Sequence, residues 1–323
     1  MKIALTHQSA ARLYSSQAPS TQGMSISTAL LDTRPLHIPE DLAGLSALPP
    51  EVLARPVHLM VANRDMRVHA RGYRFHYSAL PLPPDSFALI GSSIFCVRPE
   101  LCFAQMSSEY SRVELIRFGC ELCSTYIPNT SRDGVADIFP SELMARDAIT
   151  TTEQLKAQSL AFGVGNARAI AYALRWVVDN SASPRETALY LLLCLPYRLG
   201  GYNLPKPVLN CKIPLNPDES KMANRGSFRA DLYWPDQRLD VEYDSTQYHL
   251  NEARMETDAI RRNVLSHKGI RVVSVTRNQI NNVVAFDGVA RQIGKVLGKR
   301  IQPDPKTFYE RRKALRSTLL GRC

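Results

Sequence analysis

Carboxylate side chains recur at alternate positions in two neighbouring segments of the chain. The segments are residues 228–234 and 239–244, and their carboxylates are Asp231, Asp240, Glu242 and Asp244. Both segments alternate apolar with polar residues, which predicts two β-strands that gather their polar side chains on one face. Clustered carboxylate oxygens are the ligands that Mg²⁺ and Mn²⁺ prefer, and such a cation can promote phosphodiester hydrolysis.

The turn between these strands decides which residues face each other. Residues 235–238 form a turn-type segment, so Trp234 is predicted to pair with Leu239 and Asp231 to lie opposite Glu242. Directly opposed residues have Cβ atoms about 5 Å apart, where two carboxylates repel each other unless a cation lies between them. The alternative is an ordinary amphipathic hairpin with a solvated acidic face.

A helix start precedes the hairpin. Ser183 is placed to cap the helix, Pro184 suits its first position, and Glu186 follows three residues after the cap. The apolar residues 188–195 then predict a buried helix body.

These motifs occur in an order that resembles a known family. In chain order they are Ser183-Pro184-x-Glu186, Arg229-x-Asp231, Val241-Glu242-x-Asp244, His249, Asp258-x-x-Arg261, Leu265, Gly269 and Val272-Val273. The pattern is similar to that of the Vsr-like (very-short-patch-repair-like) endonuclease-domain proteins of the PD-(D/E)XK superfamily, over about residues 165–298. The resemblance implies an α/β (α+β) fold with a restriction-endonuclease-like three-layer αβα core and a mixed sheet. It also implies a Mg²⁺- or Mn²⁺-dependent endonuclease that acts on DNA.

The same resemblance assigns roles to the acidic residues. It makes Asp231 the principal metal ligand, with Glu242 beside it and Glu186 approaching from its helix. The alternative for Glu186 is structural, because a glutamate three residues after a serine cap completes a capping box. Asp244 stands where the superfamily often has lysine, and it could join the metal shell or hold Arg229 in an ion pair.

Histidine and basic residues complete the predicted site. His249 is a candidate general base or leaving-group acid, because the ordinary pKa of imidazole is near 6.5. The alternative is a structural or incidental histidine in a loop. The basic side chains are interpreted as a surface for the phosphate backbone rather than as readers of bases. They are Arg229, Arg261, Arg262, Lys268 and Arg271.

The remaining pattern predicts three regions. Residues 1–155 are expected to form a small α+β domain, residues 160–300 the nuclease-like domain, and residues 301–323 a basic tail. Thr6-His7-Gln8-Ser9-Ala10 and residues 57–61 give the first domain a faint resemblance to AbiEi-type antitoxin-like regions. An antitoxin-like or recognition role is therefore expected for it.

Charge is distributed unevenly between the two halves. The chain of 323 residues has a net charge of +10. Residues 1–160 carry 14 basic and 15 acidic side chains, whereas residues 161–323 carry 26 and 15. A basic field of this size attracts polyanions, so DNA is the expected partner and RNA stays open. The alternative is a solvated, solubilising tail.

The composition also indicates the cellular compartment in which the protein is expected. The longest apolar stretch, residues 188–196, is too short to cross a bilayer, and the N-terminus lacks the pattern of a signal peptide. Seven scattered cysteines argue against a disulfide framework. A cytoplasmic protein without a membrane partner is therefore expected, in an oligomeric state that the sequence does not define.

Two functions remain open at this point. One is a divalent-metal-dependent endonuclease, and the other is a degenerate nuclease fold that binds nucleic acid or acts as an antitoxin-like regulator without cutting. A fold does not fix an activity, so the choice depends on the site.

Overall fold

The computed structural model describes two compact units. The described residues are 3–16, 24–27, 31, 42–83, 85–90, 94–128, 145–244, 252–303 and 305–321. The first unit reaches Asp179 and the second continues from Asn180. The first unit thus extends past the boundary expected near residues 155–160. Thr152 bonds to Asp179, the last residue of this unit. Its backbone N–H and its hydroxyl both donate to the Asp179 carboxylate, at 2.8 and 2.6 Å.

The first unit is a mixed sheet with helices. Its elements are β1 (Ala4–Leu5), α1 (His7–Ser15), β2 (Met24–Ser27), β3 (Val57–Met60), β4 (Tyr73–His76), β5 (Phe87–Ile90), β6 (Ile94–Val97), α2 (Pro99–Met106), α3 (Arg112–Leu122), α4 (Thr152–Gln158) and α5 (Ala167–Leu174). The strands lie in the order β2-β5-β6-β1-β3-β4, so β2 and β4 are the edges. Leu5 is fully buried between Leu59 and Cys96 of the adjacent strands.

The first unit contains two helices where the sequence predicts one over residues 99–126. A capping box explains the break. The Ser111 hydroxyl accepts the Glu114 N–H, and the Glu114 carboxylate accepts the Ser111 N–H. This reciprocal pairing satisfies two backbone donors at the start of α3 and favours a new helix there.

Three histidines, His7, His58 and His76, form a stack in the first unit that we call the histidine trio. The His7 and His76 rings are stacked with centroids 3.8 Å apart, and His76 Nε2 and His58 Nδ1 share a hydrogen bond of 3.0 Å. Burial, together with the neighbouring histidines and Arg74, lowers the pKa of His7 to about 3 and that of His76 to about 4. The trio therefore joins α1 to β3 and β4 in the neutral state.

The second unit contains the predicted nuclease-like region. Its elements are α6 (Pro184–Cys194), β7 (Val208–Pro214), α7 (Pro217–Ala223), β8 (Ser227–Trp234), β9 (Leu239–Asp244), α8 (Glu252–His267), β10 (Arg271–Thr276), α9 (Arg277–Asn281), α10 (Val283–Val296) and α11 (Pro305–Leu320). The strands lie in the order β10-β9-β8-β7. Neighbours β7, β8 and β9 are antiparallel, whereas β9 and β10 are parallel, so the sheet is mixed as predicted.

Helix α8 makes the crossover that a parallel pair of strands requires. Its Val264 and Leu265 are buried against Phe228 of β8 and Ile213 of β7. This apolar contact fixes α8 beside the strands that carry the carboxylates.

Helix α6 is buried along most of its length. Residues 186–194 are all buried, as expected for a helix that is apolar on every side. In the part of the chain that the structure describes, no helix combines the length and the apolar character needed to span a bilayer.

The segment expected to be a basic tail contains helix α11. Its Phe308 and Leu315 are buried, and the Phe308 ring makes edge contacts with Tyr197 and Tyr202. Five basic residues of this segment therefore belong to a packed helix: Lys306, Arg311, Arg312, Lys313 and Arg316. Close approach is allowed by Gly200, where a Cβ atom would lie only 2.4 Å from a backbone oxygen of α11.

Candidate active site

The hairpin that carries the carboxylates has the predicted register. Trp234 pairs with Leu239, and Leu232 pairs with Val241. The apolar residues of β8 are buried, and Trp234 Nε1 donates to the Pro205 carbonyl at 2.9 Å. The alternation in the sequence therefore placed the apolar and acidic faces correctly.

Asp231 and Glu242 lie one position beyond the last paired residues of the hairpin. Within the described strands, the β8–β9 ladder ends at Leu232 and Val241. Beyond it, the Asp231 carboxylate accepts the backbone N–H of Tyr243 at 2.9 Å. The Asp231 side chain thus bonds to a backbone N–H of β9 beyond the last described residue pair. The site forms where the described ladder ends.

Asp231 lies in a strongly acidic environment. Burial, followed by the negative charges of Glu186 and Glu242, raises its pKa to about 7, although the Tyr243 N–H and Arg261 act in the opposite direction. The pKa therefore indicates that Glu186, Asp231 and Glu242 act on one another electrostatically. These are the three acids that the sequence predicted to meet.

Asp240 is a fourth member of the cluster to which the sequence assigned no role. Its side chain is 0% exposed, and neither carboxyl oxygen has a hydrogen-bond partner. Burial raises its pKa to about 10, with further contributions from Glu242 and Asp231. Arg261 Nη2 lies 3.7 Å from Asp240, which is an ion-pair distance but too long for a hydrogen bond. The sequence feature that could have identified Asp240 as a site residue is its position on the polar face, two residues before Glu242.

Glu186 is buried and points to the sheet rather than to solvent. Ser183 caps α6 as predicted, since its hydroxyl accepts the Glu186 N–H at 3.1 Å. The Glu186 carboxylate accepts the Ala182 N–H at 2.9 Å and the Asn210 side-chain amide at 2.7 Å. Burial raises its pKa despite these bonds. Glu186 thus bonds to the N–H of Ala182 rather than to that of the Ser183 cap, and its carboxylate contributes to the acidic cluster.

Asn210 is a site residue that the sequence gave no reason to select. It lies in β7, where the pairs Leu209–Leu232 and Cys211–Ala230 place it opposite Asp231. Its φ of 48° is left-handed, a conformation that asparagine tolerates better than most residues but that is unusual inside a strand. Strained backbone of this kind is often found at functional sites. Here it directs the amide to Glu186.

Arg261 supplies a positive charge at the cluster. From α8 it donates to the Glu242 carboxylate and, at 2.5 Å, to the backbone carbonyl of Arg229. Its guanidinium also lies over the Phe228 ring, 5.1 Å from the centroid. Arg261 was expected near a phosphate, but in this structure it pairs with Glu242.

The other predicted residues lie in varied positions. Asp244 is half-buried and pairs with Thr276 of β10. Arg229, Arg262 and Arg271 are exposed, whereas Lys268 forms a 2.8 Å ion pair with Glu219. His249 lies outside the described residues.

The donor set fits a hard divalent cation, because the carboxylates of Glu186, Asp231, Asp240 and Glu242 act on one another electrostatically and Asp240 has two buried oxygens without hydrogen-bond partners. Asp231 and Glu242 are the predicted ligands within it. Among the described residues, no three acidic, histidine or cysteine side chains already stand in a metal-binding arrangement. Because Arg261 forms an ion pair with Glu242, a cation has to compete with this arginine for the Glu242 carboxylate.

Comparison of the chain with protein-family models, with curated proteins and with solved structures gave no match. The function is therefore argued from the geometry and chemistry of the carboxylate cluster.

Proposed function

We propose that the second unit is a restriction-endonuclease-like domain with a three-layer αβα core that hydrolyses DNA phosphodiester bonds with Mg²⁺ or Mn²⁺. Asp231 and Glu242 are the proposed metal ligands. The observation that carries the proposal is the half-buried Asp231 carboxylate next to the buried Glu186 and Asp240 and to Glu242, with the pKa of Asp231 raised to about 7.

Burying like charges together is unfavourable, so it requires a compensating role. Each buried carboxylate loses hydration, and each negative neighbour adds repulsion. Folding alone would favour apolar side chains at these positions. Strongly shifted pKa values of this origin are typical of catalytic and metal-binding sites. When bound, the cation would polarise a phosphoryl oxygen and lower the pKa of a bound water.

Asn210 and Tyr243 orient two of the acidic side chains, Glu186 and Asp231. Glu186 is held by the start of α6 and by Asn210, so its charge stays next to Asp231. The Tyr243 N–H fixes the orientation of the Asp231 carboxylate. A pre-oriented pair of ligands loses little side-chain entropy on binding a cation, which favours binding.

A second candidate is a degenerate nuclease fold that binds nucleic acid or acts as an antitoxin-like regulator. The ion pair between Arg261 and Glu242 favours it, because that arginine already neutralises a proposed ligand. Asp244, at the position where the superfamily often has lysine, also removes one candidate for orienting water. Both proposals have DNA as the partner.

Nicking of supercoiled plasmid by the purified chain, with Mg²⁺ or Mn²⁺, separates the two proposals. We expect metal-dependent nicking that Asp231→Asn abolishes. The matched control is Asp236→Asn, because Asp236 is exposed in the hairpin turn and the substitution removes the same charge. DNA binding without nicking under either metal supports the second candidate. Nicking that survives in Asp231→Asn contradicts the first.

A further inference from the structure

The first unit carries a group of arginines along one edge of its sheet. They lie on β4 and on the chain just before β3 and β4, and we call them the arginine edge: Arg55, Arg64, Arg67, Arg71 and Arg74. All five side chains are exposed. Strand β4 is the last strand of its sheet in the described order, so this edge is open to a partner.

Local contacts orient two of these side chains, Arg67 and Arg55. The Arg67 guanidinium lies over the Tyr77 ring, 5.2 Å from the centroid, and its Nε donates to the Arg64 carbonyl at 3.3 Å. Arg55 passes beside Gly72, where a Cβ atom would lie 2.7 Å from the arginine side chain. Gly72 has a φ of 87°, which forms the turn that leads into β4.

The charge of this edge contrasts with the rest of the first half of the chain. Residues 55–74 contain five arginines and a single acid, Asp65. The remainder of residues 1–160 carries 9 basic and 14 acidic side chains. A net charge near zero for this half therefore conceals a local positive field. Such a field concentrates anionic polymers at one surface.

A charged edge strand also discourages edge-to-edge aggregation. That role applies to Arg74, which lies on β4, and does not explain the other four exposed arginines. The planar fork of arginine matches phosphate oxygens in a bidentate geometry, and a guanidinium stacked on tyrosine can also support a nucleobase. The exposed Tyr77 beside Arg67 offers this pairing.

We propose that the arginine edge is a nucleic-acid-binding surface of the first unit that contacts the phosphate backbone of DNA. This surface is separate from the carboxylate cluster, and it does not depend on whether that cluster cleaves DNA. It assigns the first unit a direct part in holding the polymer.

The test measures binding of fluorescein-labelled duplex and single-stranded DNA to the full chain in EDTA, where metal-dependent cleavage is absent. The variant is Arg67→Gln with Arg71→Gln and Arg74→Gln, which removes three charges and keeps polar, unbranched side chains. The charge-matched control replaces the exposed residues Lys156, Arg168 and Arg175 of α4 and α5 with glutamine. Thermal unfolding checks that both variants fold.

We expect the edge variant to bind DNA roughly tenfold more weakly, and the control to bind like the parent chain. Loss of three phosphate contacts makes the slope of log K against log salt shallower by about 2 to 3. Binding is measured in EDTA, and Asp236→Asn in the exposed hairpin turn is expected to bind like the parent chain. Failure of the cleavage proposal would therefore leave this result unaffected.

Equal DNA binding by the edge variant and the parent chain overturns the proposal, as does an equal loss in the control. A parallel measurement uses vesicles that contain phosphatidylserine. If the edge variant loses vesicle binding but keeps DNA binding, the surface recognises anionic lipid and the proposal is wrong.

Discussion

Replacing Asp240 with asparagine is expected to stabilise the second unit, although most substitutions at buried positions destabilise. The Asp240 side chain is 0% exposed, its carboxyl oxygens lack hydrogen-bond partners, and its pKa is raised to about 10. The ordinary value is 3.8. At neutral pH the folded chain must therefore keep a proton on Asp240 that the unfolded chain releases.

The size of the effect follows from this difference. A pH of 7 lies about three units above the ordinary pKa, and each unit corresponds to about 1.4 kcal/mol, so the upper limit is about 4 kcal/mol. Asparagine is neutral at every pH and avoids this cost. Coupling to the neighbouring Glu242 lowers the gain, so we expect about 1 to 3 kcal/mol at pH 7.

The pH dependence has a definite sign. Because the folded chain binds more protons than the unfolded chain between pH 4 and 10, the parent chain loses stability as the pH rises through this range. The advantage of Asp240→Asn should therefore be small at pH 5 and larger at pH 9.

Urea unfolding followed by Trp234 fluorescence measures this advantage. The chain has two tryptophans, so a Trp176→Phe background makes Trp234 report on the second unit alone. Measurements at pH 5, 7 and 9 in EDTA prevent trace cations from neutralising the cluster. Asp236→Asn is the control, because its exposed carboxylate should give no pH-dependent gain. A loss of stability in Asp240→Asn at pH 7, or an equal gain at all three pH values, would refute the reasoning.

Three other perturbations test contacts elsewhere. Arg261→Gln should tighten Mn²⁺ binding about tenfold, because it frees Glu242. The control is Arg262→Gln on the exposed side of α8, which should leave Mn²⁺ affinity unchanged. Calorimetric titration compares the two variants, and equal affinities would contradict competition between Arg261 and the cation for Glu242. Asn210→Ala should destabilise the second unit by about 1 kcal/mol more than Asn210→Gly, since glycine tolerates the left-handed backbone; equal urea midpoints would argue against strain there. The first unit should lose stability as the pH falls from about 6.5 toward 4, because the unfolded chain protonates the histidine trio first. Thermal unfolding should show this loss reduced in His76→Gln but not in a variant of the exposed His69.

Short-range patterns could be read from the sequence because they depend on neighbouring residues. The turn at residues 235–238 set the pairing of Trp234 with Leu239, which the structure confirms. Ser183 caps α6 for the same reason, since the cap and its N–H partner are three residues apart. The mixed character of the second sheet was also predicted, whereas the division of residues 99–126 into two helices was not.

Contacts between distant segments could not be read in this way. Asn210 reaches Glu186 across 24 positions of sequence, and its left-handed backbone has no sequence signature of its own. Arg261 pairs with Glu242 because α8 packs its apolar side against β8. Which of several basic residues meets the acidic cluster was therefore decided by packing.

The sequence by itself determined that carboxylates would line one face of a hairpin, because side-chain alternation is a property of every strand. Only the tertiary structure decided their protonation and their partners. Burial is set by the elements packed around the hairpin, and it raised the pKa of Asp240 more than that of Asp231. The cost of ionising a carboxylate depends on this surrounding protein, which is assembled from residues far away in the chain.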